Sequence, residues 1–167
     1  MADLLESLRQ SFADPITRHA MLVHFPIALG LFAIPFVAAL PFVFKRRATA
    51  YRLILGIALF GVGVIAWQAS EAGESAEPIV EARLTGQAAR DVLDRHAIQG
   101  ERIPLMLAGT SLLVFATLIP RRSIRFVVGL LATTAMVATA VAITLAAHDG
   151  GRLVHHLDRG PMVRPLN

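Results

Sequence analysis

Residues 18–32 read RHAMLVHFPIALGLF. Two histidines, His19 and His24, lead into an apolar run that meets no charge until Lys45. A helix needs about 20 such residues to cross a ~30 Å hydrocarbon core, so a first span is expected at about 20–44. Working outward, a second follows at about 51–70 (YRLILGIALFGVGVIAWQAS), with Arg52 near its end. A third, about 103–120 (IPLMLAGTSLLVFATLIP), is short but bracketed by Pro104 and Pro120, and Pro104 suits a first helical turn. A fourth covers about 126–148. The expected fold is all-α: an integral membrane four-helix up-down bundle, with an extra amphipathic helix between spans two and three.

Composition agrees. The 167 residues are 55% apolar with a mean hydropathy of +0.60, high for a soluble chain of one domain. Charges are sparse and grouped. The pI near 10.9 reflects arginine patches that set topology rather than bind nucleic acid. There is no cysteine, which excludes disulfides, thiolate metal sites and covalent c-type haem.

The flanks fix direction. Lys45, Arg46, Arg47 and Arg52, and then Arg121, Arg122 and Arg125, form two basic connections without an acid. The acids Glu71, Glu74, Glu77, Glu81, Asp91, Asp94 and Glu101 all lie in 71–103. The positive-inside rule puts the basic loops in the cytoplasm and both termini outside, in the periplasm of a bacterial inner membrane. Tyr51 and Trp67 then mark opposite ends of the second span. Short connections make the neighbouring spans antiparallel. Gly56, Gly61 and Gly63, and then Gly129, Thr133, Ala138 and Ala142, read as small-residue packing faces.

The N-terminal segment 1–19 shows no cleavable signal peptide. It reads as a short amphipathic helix with Met1, Leu4, Leu5, Leu8 and Phe12 near one face, stopped at Asp14-Pro15. Within 71–103, Leu84, Ala88, Val92 and His96 recur every four residues. They predict an outer cap helix over about 79–99, apolar face down, ended by Gly100. Residues 149–167 are expected to form a periplasmic tail.

His19, His24, His96, His148, His155 and His156 all fall on the outer side. Most extramembrane sequence lies there too, so sidedness alone carries little weight. His24 carries more, because an ionisable residue inside a span normally faces the bundle interior or a wet cavity. Pro26, expected in the first turns, leaves the carbonyl of Leu22 without its helical donor. His19 and His24 are about 140° apart on a regular helix, so the two would not chelate one ion without distortion. His155 and His156 are adjacent, and in an extended segment only one would face the site. Neutral imidazole binds haem iron, copper and zinc. Two histidines from different helices suit the axial positions of a b-type haem: His24 with His96, and His148 or His156 as substitute or supporting partner. Three or four would suit copper or zinc: His19, His24, His96 and His156. A third expectation is an accessory subunit of a larger membrane complex, with no cofactor. No nucleophile–base pair, phosphate loop, dinucleotide fingerprint or zinc-protease helix occurs, so hydrolytic catalysis is not expected and no catalytic residue is assigned.

The segment HAMLVHFPIALGLF also resembles the opening motif of the bacterial membrane family called domain of unknown function 2231, His-Pro-x-x-Val-His-Phe-Pro-Ile-Ala-Leu. His19, His24, Phe25 and Pro26 match it, and Ala20 replaces the proline. HAIQG, with His96 and Gly100, is similar to the family's His-x-x-x-Gly before the third span. GGRLVHHLDRG matches a later Gly-Gly-x-Leu-Val-Tyr stretch at Gly150, Gly151, Leu153 and Val154. It departs at His155, where tyrosine is usual, and His156 falls one place early. The resemblance implies a four-span membrane protein. Some members of that family look associated with cytochromes, which suggests a redox setting. The partners expected for this chain are the lipid bilayer, subunits of a cytochrome or other redox membrane complex, or further copies of the chain.

Overall fold

The computed structural model describes residues 2–43 and 48–155, and every regular element among them is helical. Lys45, Arg46 and Arg47 of the first basic loop, and His156 with the tail beyond it, lie outside the described residues. The helices are α1 (Ala2–Ala13), α2 (Pro15–Ala39), α3 (Ala48–Glu81), α4 (Gln87–Ala116) and α5 (Arg122–His155). A 3-10 turn, Leu40–Phe42, continues α2.

Asp14 separates α1 from α2. Its carboxylate accepts hydrogen bonds from the Thr17 backbone N–H at 2.8 Å and from the Thr17 hydroxyl, and Pro15 opens the helix. An N-cap followed by proline is a strong helix start. It begins α2 five residues before the expected span. His19 is therefore inside the helix. Pro26 is buried about three turns in, not in the first turns as the sequence led us to expect. On α1, the side chains of Leu5 and Phe12 are exposed.

The region between spans two and three also differs from expectation. No separate cap helix forms over 79–99. Instead α3 runs on to Glu81, and α4 begins at Gln87 and continues unbroken into the predicted third span as far as Ala116. Only residues 82–86 turn, with Gly86 at φ +101°, a conformation that favours glycine. Gly100 does not end the helix, and Pro104 lies inside it. Packing explains the continuity: Leu84, Ala89 and Leu93 are buried together against Val80 and Leu153, so the outer parts of α3, α4 and α5 share a small core. α5 likewise extends to His155, which shortens the expected tail.

α2 packs on α3, α3 on α4, α4 on α5, and α5 back on α2. Close approaches fall where residues are small. A Cβ added at Gly56 would meet Phe115 at 2.6 Å. One at Gly30 would meet Ile143 at 2.8 Å, and one at Gly129 would meet the backbone nitrogen of Pro41 at 3.1 Å. Ser111 donates to the Gly56 carbonyl at 2.9 Å, and Thr133 to the Val37 carbonyl at 3.3 Å. Gly61 and Ala138 of the expected packing faces point away: nothing lies within 4 Å of a Cβ at Gly61, and Ala138 is exposed.

Small and hydroxylated residues such as Ala66, Ala132, Thr110 and Thr139 are buried, while Phe32, Ile54, Leu105 and Leu112 are 66–74% exposed. Leu59, Leu107, Met136 and Ile143 are buried beside them, so the interior is mixed, and the large exposed apolar surface is what departs from a soluble bundle. A bundle in lipid has no hydrophobic drive between helices and packs through small residues. α2 with its 3-10 turn, α3 and α5 are long and apolar enough to cross a membrane. α4 is not among them. Its apolar part begins only at Ile103, and the helix gives way to turns at Thr117, whose N–H folds back on Leu113 and Val114.

Candidate functional site

Two imidazoles meet where α2 and α4 face each other near the end that carries the α3–α4 turn. The His19 and His96 ring centroids are 5.9 Å apart, with planes at 83°. Each ring is seated alike. His19 Nδ1 is 2.7 Å from the carbonyl of Ala69 on α3, and His96 Nδ1 is 2.9 Å from the carbonyl of Ala146 on α5. A carbonyl only accepts, so each Nδ1 carries the proton and each Nε2 holds a lone pair in the neutral ring. Among the described residues neither Nε2 makes a hydrogen bond. One turn beyond each carbonyl is a glycine. A Cβ at Gly73 would stand 2.9 Å from His19 Nδ1, and one at Gly150 would stand 3.0 Å from His96 Cε1. Only the missing side chains let the rings approach.

Two cavities meet at the pair, and His19, Ala20, Ser70, His96, Gly100 and Val154 line both. One, about 370 Å³, reaches inward along the bundle to Pro26, Ile27, Ile103 and Ile143. The other, about 350 Å³, reaches outward to Glu74, Glu77, Arg83 and Glu101. Burial pushes the His96 imidazole below its ordinary pKa and the charge of a protonated His19 adds to this, against the pull of the Ala146 carbonyl and Asp149. Asp149 is itself buried and pairs with Arg95 at 3.5 Å and Arg152 at 3.8 Å, tying α4 to α5 beside the site.

The expected ligands are distributed unevenly. His96 is at the centre. His24 lines the inner cavity, but it is exposed and its Nδ1 bonds the Ala20 carbonyl of its own helix at 2.6 Å. It does not join the pair. His148 is exposed on α5 and lines neither cavity. His19, whose angular offset from His24 argued against their sharing an ion, is the partner of His96. Among the described residues no three histidine or acidic side chains are placed to hold one metal ion. The residues missed by sequence reading are Ala69, Ala146, Gly73 and Gly150. Their signal is a faint Ala-x-x-x-Gly, on α3 at Ala69–Gly73 and on α5 at Ala146–Gly150, where Ala147–Gly151 repeats it one place on.

Two ligating imidazoles at metal–nitrogen distances of about 2 Å have ring centres roughly 5–6.5 Å apart, depending on the angle at the metal. The separation seen falls in that range. Backbone carbonyls at Nδ1 are also the usual outer support of a ligating histidine. Comparison with protein-family models, with curated proteins and with solved structures finds no match to this chain.

Proposed function

We propose that the chain is a four-span, up-down bundle of a bacterial inner membrane, with both termini and the α3–α4 turn on the periplasmic side, and that it holds a b-type haem between His19 and His96 for electron transfer. The observation that carries this reading is the pair of imidazoles on different helices, each fixed through Nδ1 on a neighbouring helix's carbonyl. Haem, when bound, supplies a one-electron couple. The chain supplies the rest. His19 and His96 present their Nε2 lone pairs, and the carbonyls of Ala69 and Ala146 hold the rings in the ligating tautomer. The inner cavity, lined by Pro26, Ile27, Ile103 and Ile143, would give a bound group apolar surroundings. On this reading the site lies toward the periplasmic ends of α3, α4 and α5, open to a periplasmic redox partner. This account keeps the resemblance to the domain of unknown function 2231, whose first two motifs fall on His19 and His96.

A bare copper or zinc ion at the same pair is the second reading. It is favoured by the carboxylates of Glu74, Glu77 and Glu101 around the outer cavity, which suit a cation better than the propionates of haem. Expression with iron and a haem precursor, followed by haem and metal assay of the purified chain, separates the two. One haem per chain supports the first reading. Stoichiometric copper or zinc without haem overturns it in favour of the second. Neither, in a stable folded protein, overturns both and leaves an accessory subunit.

A further inference from the structure

We propose that the chain is a tandem of two like helix hairpins, α2–α3 and α4–α5, each carrying a complete half-site. On this view the bound group lies on the pseudo-two-fold axis between them, and Gly73 and Gly150 are its paired positioning residues.

The half-sites superpose residue by residue in the sequence. In each, the accepting carbonyl comes 50 residues after the histidine, and the glycine comes one helical turn later. His19, Ala69 and Gly73 of the first hairpin correspond to His96, Ala146 and Gly150 of the second, all at an offset of 77 residues. The offset extends far from the site. Pro26, Gly30, Ala33, Val37 and Leu40 are buried in the first hairpin's leading arm, and Ile103, Leu107, Thr110, Val114 and Thr117 are buried at the same offset in the second. On the returning helices Leu59, Val62, Gly63, Ala66, Ala69 and Ala72 are buried, and so are Met136, Thr139, Ala140, Ile143, Ala146 and Asp149, again 77 residues on.

The two interfaces between hairpins are tied at corresponding levels, with donor and acceptor exchanged. Thr133 on returning α5 donates to the Val37 carbonyl on leading α2, and Ser111 on leading α4 donates to the Gly56 carbonyl on returning α3. Gly56 corresponds to Thr133, and Val37 to Val114, within one turn of Ser111. Few of these pairs are identical residues, so the repeat lies in the buried register and the site geometry rather than in the letters.

Two hairpins so related meet on an axis, and His19 and His96 are the corresponding residues that touch across it. The geometry therefore points to a ligand with two equivalent coordination positions, one for each hairpin. The haem identity of that ligand rests on the reading above. The duplicated half-site does not.

The full-length chain, labelled with 15N-histidine and purified without ligand in detergent, tests the half-sites directly. Long-range proton–nitrogen NMR above pH 7 is expected to show His19 and His96, assigned with His19→Gln and His96→Gln variants, both as Nδ1–H tautomers. Gly73→Ala is expected to shift the His19 ring alone, and Gly150→Ala the His96 ring alone, while Gly61→Ala shifts neither. A mixed or Nε2–H tautomer at either ring overturns the proposal, as does a glycine variant that leaves its own histidine unmoved. In protein loaded with haemin, Gly73→Ala and Gly150→Ala are each expected to weaken binding by a similar factor, about tenfold. Factors differing by more than tenfold overturn the equivalence. If haemin does not bind at all, the functional reading falls and the tautomer result alone decides the half-sites.

Discussion

The middle of the bundle and its outer end are built on opposite rules. In the middle and toward the basic loops, Gly30, Gly56 and Gly129 bring helices into contact while Phe32, Ile54 and Leu112 cover the outside. At the outer end the surface carries Glu71, Glu74, Arg90, Asp91 and Asp94, and the imidazoles and Asp149 are inside. On the membrane reading proposed above, the first arrangement suits lipid, where contact comes from close packing, and the second suits water, where a small apolar core around Leu84, Ala89 and Leu93 can hold together. The paired site sits where the two meet: small residues open space beside the rings, and the helices around Leu84 anchor them.

Several changes would break that contrast. The largest effect is expected from Gly129→Leu, near the basic-loop end. Its Cβ would face the backbone nitrogen and Cα of Pro41 at 3.1 and 3.2 Å, which cannot swing aside as a side chain can. The cost is about 1–3 kcal/mol, read as a shift in SDS-induced unfolding. Acid should act on the other end. Because burial holds the folded pKa of His96 below its unfolded value, the stability it contributes is present above about pH 6.5 and is lost as pH falls through the lowered value. Hydrogen exchange of the ligand-free protein is expected to quicken in the outer parts of α4 and α5 before the middle responds. Smaller still is Arg95→Ala, which leaves Asp149 with Arg152 as its remaining ion-pair partner. It should raise exchange near Asp149 at neutral pH while leaving SDS resistance unchanged. Gly61→Ala meets nothing within 4 Å and is expected to alter stability by no more than about 0.5 kcal/mol.

The helical, membrane-suited character was legible because apolar runs and grouped charges are properties of segments. The start of α2 was legible in part: Asp14-Pro15 was read as a stop, and the same two residues are also a cap and a first turn. The cap helix was misplaced because four-residue periodicity does not say whether a helix continues, and it also set Ala88 on the inner face, where the structure exposes Ala88 and buries Ala89. Only the packing of Leu84, Ala89 and Leu93 decides that α4 runs unbroken past Gly100. His96 was found through its periodic position. Its pairing with His19 was not, because that depends on backbone carbonyls and absent side chains, to which sequence patterns are nearly blind. The repeat was hidden for the same reason: Leu40 and Thr117, or Ala72 and Asp149, share a place in the packing and no chemical likeness.

The most direct test of the paired site is the oxidised and reduced absorption spectrum of the purified full-length protein, compared among wild type, His19→Ala, His96→Ala and His24→Ala. The account predicts a Soret band and a sharp reduced α-band that survive His24→Ala and are lost in both other variants. Bands that persist without His19, or that vanish without His24, would contradict it.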